Sequence, residues 1–340
     1  MNFLLNISTY SDDLELINHD WASAEKLLAE TGFSGFELYP VGKDYPYQSI
    51  PTELIGGVHL RFFIMLEAIW RNDRAKLIEI FGDEETVRTF YGGTTRDAIV
   101  DCYRHQLELA HQFHVPYVVF HPVHYELDYV FNWQPPWKME STLALSAEVL
   151  NAVLAETPYQ GWVLLENLWW PENFRLDSTS EIDFLLGQID YAKTGIVLDT
   201  GHLLNKNQSL GTEREGIEYL LNEIKSLGRH RDLIKAVHLT KSISRDYVRQ
   251  TKGQTFNGEQ DFWKKLSIAA RHVRQIDQHN AFEDAAIAEL FELISPDHVV
   301  FEFAYRSISE WKEKIALQKK ALGSIFQTCI TSSTPHFSSE

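Results

Sequence analysis

The 340-residue chain is long enough for one large α/β barrel or for two ordinary domains. Its hydrophobic fraction of 44% and charged fraction of 23% are typical of a soluble globular protein, and no apolar run approaches the roughly 20 residues of a membrane span. A net charge of −17 at pH 7 disfavours binding to nucleic acid or to an anionic membrane. The chain starts without the basic region of a signal peptide, and its two distant cysteines suit a reducing compartment, so we expect a cytoplasmic protein.

Short apolar strand patterns alternate with amphipathic helix patterns along the chain. The predicted strands are 3–9, 35–39, 57–60, 117–121, 161–167, 195–199, 233–239 and 298–303. The predicted helices are 18–31, 97–114, 141–157, 180–189, 213–227, 283–294 and 309–326. This alternation predicts a (β/α)8 TIM barrel, in a single domain over residues 1–326. An open, doubly wound sheet is the alternative, which the missing Gly-x-Gly-x-x-Gly motif after the first strand disfavours.

Three segments fall outside this alternation. Residues 61–96 are long and aromatic, and we interpret them as an insertion after strand 3. Residues 240–278 are polar and predict a long loop after strand 7. The Ser/Thr-rich tail, 327–340, is expected to be mobile.

Strands 3 to 8 each end in a side chain that can bind a metal ion. These side chains are His59, His121, Glu166, Asp199, His238 and Glu302. Alone, each has an ordinary structural explanation, such as a hydrogen-bonded core histidine or a carboxylate that caps a helix. In a barrel, however, the carboxyl ends of the strands surround one opening, and burying these carboxylates together without cations would be costly. The pattern therefore predicts a metal centre, with His202 and the pair Asp277 and His279 as further ligands from the loops.

This ligand set resembles the endonuclease-IV-type branch of the xylose-isomerase-like barrels, the AP endonuclease family 2. The resemblance runs from the first strand to about Phe326, and its most specific elements are Leu198-Asp199-Thr200-Gly201-His202 and Asp277-Gln278-His279. It implies a TIM barrel with up to three zinc ions. The three implied ligand groups are His59/His121/Glu166, Glu166/Asp199/His238/Glu302 with Glu166 bridging, and His202/Asp277/His279.

Two reactions are open to such a barrel. Clustered cations suit phosphodiester hydrolysis, because they activate water, neutralise phosphate oxygens and stabilise the leaving oxygen. A sugar or cyclitol isomerase or epimerase of the superfamily needs one ion and two glutamates. Ligand count favours the hydrolase, with Glu166, Glu302 and His238 as the catalytic set, and histidine ligation favours zinc, although manganese or iron would also suit the carboxylates. A barrel that binds metal or ligand without catalysis is a third hypothesis, against which the complete ligand set argues.

The loops predict a small or medium-sized, ring-bearing substrate rather than DNA. The chain has 31 basic against 48 acidic residues, and it has many large aromatic side chains after the strands. Three of these loops resemble those of the cobamide-remodelling phosphodiesterases, which hydrolyse the nucleotide loop of a corrinoid. The residues predicted to bind the substrate are Arg61, His124, Trp169, Trp170, Lys241 and Arg245.

Overall fold

Within the described residues, 1–327, the computed structural model contains eight parallel strands that pair in chain order and close into a barrel. The strands are β1 (Asn2–Ser8), β2 (Gly35–Tyr39), β3 (Ile55–His59), β4 (Tyr117–Phe120), β5 (Trp162–Glu166), β6 (Thr194–Asp199), β7 (Ile234–His238) and β8 (His298–Phe301). Their apolar residues are buried on both faces, as parallel strands covered by helices require. The predicted (β/α)8 barrel is confirmed.

Helices connect the strands on the outside of the barrel. They are α1 (Ser11–Leu16), α2 (Trp21–Thr31), α3 (Leu66–Trp70), α4 (Arg74–Phe81), α5 (Glu84–Tyr91), α6 (Arg96–Gln112), α7 (Met139–Leu154), α8 (Thr179–Leu186), α9 (Thr200–Asn205), α10 (Glu213–Ser226), α11 (Arg245–Thr251), α12 (Phe262–Ile276), α13 (Leu290–Leu293) and α14 (Ile308–Leu322). Local sequence explains several starts: Asp20 caps α2, and Thr212 with Glu215 forms a capping box on α10.

The segment after β7 differs from the prediction. The sequence predicted a polar loop over 240–278, but α11 and α12 lie there. Phe262, Ala269 and Ile276 recur at intervals of seven and form one buried face of α12, which the many charged residues between them obscure. The predicted helix over 283–294 is also shorter, because a 3-10 turn at Ala285–Glu289 precedes α13. The segment 61–96 contains the three short helices α3 to α5.

A buried hydrogen bond crosses the interior of the barrel below the metal-competent residues. Tyr117, the first residue of β4, donates its hydroxyl hydrogen to Glu37 Oε2 of β2 at 2.6 Å. The phenol ring passes over Gly57 of β3, where a Cβ atom would lie 2.4 Å from Tyr117 Cζ. Only glycine leaves room for the ring at this position, so the Gly-Gly sequence of β3 serves packing within the barrel.

Two sequence predictions concern the chain's surroundings and its end. In residues 1–327, no helix combines the length and the apolar character that crossing a bilayer requires. Apart from Gln327, the tail that was predicted to be mobile lies outside the described residues.

Candidate metal centre

The barrel brings all nine predicted ligands to the carboxyl ends of its strands. His59, Glu166, Asp199 and His238 are the last residues of β3, β5, β6 and β7. His121 and Glu302 directly follow β4 and β8. His202 comes from α9, and Asp277 and His279 directly follow α12. Their candidate ligand atoms form three groups, within each of which the atoms lie less than 4.8 Å from one another.

The first group contains His59, His121 and Glu166, all of them buried. Glu166 Oε2 lies 3.4 Å from His59 Nε2 and 3.3 Å from His121 Nε2. Two imidazole nitrogens and a carboxylate oxygen that converge in this way are a donor set suited to Zn²⁺.

The second group contains Glu166, Asp199, His238 and Glu302. His238 Nδ1 lies 3.4 Å from Glu166 Oε2 and 3.2 Å from Glu302 Oε2. In the described part of the chain, each member has one buried polar atom without a hydrogen-bond partner: Glu166 Oε2, Asp199 Oδ2, His238 Nδ1 and Glu302 Oε2. Buried polar atoms are rarely left unpaired. Four that converge on one space fit a divalent cation, which would satisfy them together.

The third group contains His202, Asp277 and His279. Asp277 Oδ2 lies 3.2 Å from His202 Nε2 and 2.8 Å from His279 Nε2. The start of α9 explains how neighbouring residues serve different groups: Asp199 Oδ1 accepts a hydrogen bond from the His202 backbone N–H at 2.6 Å and caps the helix. The helical turn then carries His202 away from the Asp199 carboxylate toward Asp277.

Most of the imidazoles are oriented by a second hydrogen bond on the ring nitrogen that faces away from its group. His59 Nδ1 donates to Leu60 O at 3.0 Å, His202 Nδ1 to Asn167 O at 2.8 Å, and His279 Nδ1 to Glu302 O at 3.0 Å. A carbonyl oxygen only accepts, so these contacts assign a hydrogen to Nδ1, and Nε2 is the nitrogen that would bind a cation once it is deprotonated. Such outer partners are the usual accompaniment of metal-bound histidines.

Glu37 is a candidate site residue that the sequence analysis missed. It lies in the middle of β2 and points into the barrel, where its Oε1 is 3.1 Å from His238 Nε2. This contact turns His238 Nδ1 toward the second group. Glu37 could also form a further group of candidate ligands with His59 and His238. The one signal in the sequence was a glutamate flanked by apolar residues inside a predicted strand. In such a pattern a carboxylate that faces solvent is as common as one that faces the interior of the barrel.

The charges of the centre depend on one another. Burial raises the pKa of Asp199 to about 8. Burial also lowers the pKa of His202, but Asp199 and Asp277 outweigh this effect and raise it to about 10. For Glu302, burial raises the pKa, yet His238 and His279 outweigh it and lower the value to about 2. Without metal, protonated imidazoles therefore balance the carboxylates, and binding of cations would release those protons.

The three groups open into a cavity of about 390 Å³. Two of the residues predicted to bind the substrate, Trp169 and Trp170, line it together with Phe62 and Leu168. The Trp169 ring centroid is 4.8 Å from that of His202, and the Phe62 ring stacks on Trp170 at 6.2 Å. Aromatic faces thus lie directly beside the third and first ligand groups.

The other four residues predicted to bind the substrate do not line this cavity. Arg61 lines a neighbouring cavity. His124 is buried against Trp137, and burial lowers its pKa to about 4. The ammonium of Lys241 pairs with Glu213 at 2.5 Å, and Arg245 Nε pairs with Asp246 at 3.2 Å. Side-chain direction in these loops follows local ion pairs and packing, which the order of residues did not reveal.

Comparison with known proteins shows the family to which the chain belongs. The sequence matches the family described as "Xylose isomerase-like TIM barrel" over residues 25–292, so the chain belongs to this family, as the ligand motifs indicated. Its members include enzymes that hydrolyse and enzymes that isomerise. No curated protein matches the sequence significantly.

Solved structures with the same fold carry both kinds of name. Endonuclease IV from Thermus thermophilus is 14% identical, with a TM-score of 0.51 over 95% of this chain and 99% of that chain. A putative xylose isomerase from Rhodospirillum rubrum is 11% identical, with a TM-score of 0.53 over 98% of this chain and 100% of that chain. At these identities the likeness concerns the fold alone, so the reaction has to be argued from the site.

Proposed function

We propose that the protein is a metal-dependent phosphodiesterase that uses three divalent cations, with zinc as the best-suited metal. The third ligand group, His202, Asp277 and His279, carries this proposal. An isomerase requires one ion, which Glu166, Asp199, His238 and Glu302 could hold without it. A further Asp and two oriented imidazoles beside that group are explained by a polynuclear centre.

Glu166 and Glu302 support the same conclusion. Glu166 has imidazole nitrogens of four histidines within 3.4 Å, those of His59, His121, His202 and His238. Glu302 contacts His238 at 3.2 Å and His279 at 3.7 Å. An acid–base pair for isomerisation needs carboxylates that face the substrate. These two line the cavity, but each also contacts several other candidate ligands, which suits metal ligation, with Glu166 positioned to bridge two ions.

The charge of the cavity also suits a phosphodiester. Among residues 1–327, no lysine or arginine lines it. The anion would therefore depend on cations held by the chain's own carboxylates. When bound, closely spaced divalent cations activate water, neutralise the non-bridging oxygens and stabilise the leaving oxygen in an in-line displacement. The protein's part is to fix the ligands and to shield the space with the Trp169 and Trp170 rings.

The cavity favours a small or medium-sized, ring-bearing substrate. A volume of about 390 Å³ admits a phosphodiester with a ring on Trp169 and Trp170. Duplex DNA would need many phosphate contacts from basic side chains, which the lining residues do not supply. Hydrolysis of the nucleotide loop of a cobamide is the narrower proposal, in which only that loop enters the cavity.

The test uses the full-length, metal-loaded protein with bis(4-nitrophenyl) phosphate and with cobalamin. We expect release of 4-nitrophenol from the diester, and a phosphate monoester product from whichever natural diester is the substrate. An inactive diester panel together with solvent-deuterium incorporation into a ketose would instead support the second candidate, a single-metal isomerase. The four-residue group around His238 is the observation that favours that candidate.

If neither reaction is found with metals loaded, the third hypothesis, a binding barrel without turnover, is favoured instead. If bis(4-nitrophenyl) phosphate is hydrolysed but cobalamin is not, the phosphodiesterase proposal stands and the cobamide proposal fails.

A further inference from the structure

A second cavity, of about 510 Å³, lies beside the metal-binding cavity. The segment after β2, the end of α5 and the first turns of α6 form its walls. Tyr39 lines both cavities. Its ring centroid is 5.3 Å from that of the candidate ligand His59, and the Tyr10 ring stacks on it at 6.0 Å with an interplanar angle of 19°.

The two cavities differ in charge. The metal-binding cavity is lined by carboxylates, whereas Arg61 and Lys43 line the second one, where Asp101 is the acidic residue. Within residues 1–327, neither Arg61 nor Lys43 forms an ion pair with a carboxylate. Arg61 is nevertheless held in place: its Nη2 donates to Phe90 O at 2.8 Å, and its guanidinium lies 4.5 Å from the centroid of the Phe63 ring.

The polar groups around Arg61 leave donors available for a ligand. His105 also lines the cavity, and its Nε2 is buried without a hydrogen-bond partner in the described part of the chain. Two of the lining tyrosines already donate their hydroxyl hydrogens, Tyr47 to Gly42 O and Tyr91 to Met65 O, each at 2.8 Å. The cavity therefore combines aromatic walls with two cations that form no ion pair with a carboxylate in residues 1–327, and with an imidazole nitrogen that lacks a hydrogen-bond partner there.

We propose that this second cavity binds an aromatic anion, a carboxylate or phosphate group carried on a ring. The anion would contact Arg61, Lys43 and His105, and the ring would lie on the stacked Tyr10 and Tyr39. Because Tyr39 lines both cavities, the anionic ring is part of the same substrate whose phosphodiester enters the metal-binding cavity. The claim that one substrate spans both cavities rests on the proposed function, whereas binding of the anion does not.

Cys102 supplies a reporter inside the second cavity. Its side chain is half-buried there, and burial raises the pKa of the thiol while Arg61 and Lys43 oppose the rise. In a Cys329→Ser variant of the metal-loaded, full-length protein, Cys102 is the one remaining cysteine. Its alkylation by iodoacetamide, a neutral reagent, is followed by mass spectrometry with phenyl phosphate, benzoate, phenol or inorganic phosphate present.

We expect phenyl phosphate, benzoate or both to slow the alkylation saturably, and phenol and inorganic phosphate to act only at much higher concentrations. The stronger of the two aromatic anions identifies the preferred acidic group. Lys43→Gln, at an exposed position, and Arg61→Gln should each raise the half-protecting concentration about tenfold, the effect of losing one charged hydrogen bond. Arg88→Gln, which removes a charge paired with Glu85 outside the cavity, is the matched control and should change nothing.

Absence of protection by both aromatic anions overturns the proposal, as does protection that neither Lys43→Gln nor Arg61→Gln weakens. A kinetic comparison separates this result from the proposed function. It uses 4-nitrophenyl phenyl phosphate and the corresponding diester with a carboxylate on the phenyl ring. Lys43→Gln should raise KM for the carboxylated diester alone, and an equal change for both diesters would refute a substrate that spans the two cavities. If neither diester is hydrolysed while the anions still protect Cys102, the proposed function fails and the anion site stands.

Discussion

His202 and Asp199 are three residues apart, yet they belong to different ligand groups. Asp199 faces Glu166, His238 and Glu302, whereas His202 Nε2 faces Asp277. A single-metal isomerase would need Asp199 as a metal ligand but would not need His202 as one. The histidine is therefore the residue whose replacement best separates the two candidate reactions.

Replacing His202 with glutamine should reduce kcat/KM for diester hydrolysis by at least about 100-fold. The change removes a ligand, which costs more than the 10- to 100-fold loss that follows removal of an outer partner. His272→Gln is the matched control, since His272 is equally buried but bonds the Tyr247 hydroxyl at 2.9 Å outside the three groups. Equal kcat/KM values for the two variants would contradict a role for His202 in the centre.

We expect Glu37 to act on the metal centre through its contact with His238. Glu37→Gln keeps the size of the side chain but replaces the anionic acceptor of His238 Nε2 with a neutral one. We expect the affinity for metal to fall about 10- to 100-fold, measured by competition with a chelator. Glu181→Gln, at a buried glutamate that accepts from the backbone N–H groups of Arg175 and Asp177, should leave the affinity unchanged. An unaltered affinity in Glu37→Gln would show that its contact does not orient His238.

At the scale of the elements, the junction of β6 and α9 gives Asp199 two roles. One carboxylate oxygen caps α9 by accepting from the His202 N–H, and the other is buried without a hydrogen-bond partner in residues 1–327. Asparagine caps helices as well as aspartate does, but it lacks the charge that a cation would offset. The two roles can therefore be separated by substitution.

In metal-free protein, Asp199→Asn should be at least as stable as wild type, because Asp199 must take up a proton or bury a charge on folding, whereas asparagine needs neither and keeps the cap. Asp199→Ala should be less stable than Asp199→Asn by about 1 kcal/mol, the usual contribution of an N-cap. Thermal or denaturant unfolding in the presence of a chelator measures both differences. Equal stability of the two variants would mean that the cap does not contribute.

The elements of the barrel differ in how well the sequence predicts them. The strand ends were predicted well because short runs of β-branched and other apolar residues stop at a polar residue, as at Leu198-Asp199. The candidate ligands lie at those ends. Helix α12 was missed because its buried residues are seven apart among charged ones. The role of Glu37 could not be predicted, because it depends on His238, which lies across the barrel. The direction of the Arg61 side chain could not be predicted either, because it depends on contacts with a neighbouring segment of the chain.

At the scale of the whole molecule, the candidate ligands come from the ends of six strands, from helix α9 and from the segment after α12, so bound metal would join most of the barrel's circumference. Ligands that bind the native state alone stabilise it by mass action. A chelator should therefore lower the Tm by several degrees, since free metal at 100 times Kd contributes about 2.7 kcal/mol. Differential scanning calorimetry with and without chelator makes the measurement, and a Tm that does not respond would argue against a filled centre. Asp199→Asn, as a control, should show a smaller shift.

The net charge of −17 takes on a more specific meaning in the folded molecule. Part of it is the set of carboxylates gathered at one end of the barrel, which three divalent cations would more than balance. Composition favoured metal over a polyanionic partner as the ligand of this chain, but it did not reveal that Arg61 and Lys43 lie in a separate cavity.

Elemental analysis of the purified full-length protein, with metal supplied during expression, tests the polynuclear centre most directly. The three ligand groups predict three divalent ions per chain, and two in the His202→Gln variant because only the third group loses a ligand. At most one ion per chain in the wild type, with no loss on replacing His202, would contradict the account.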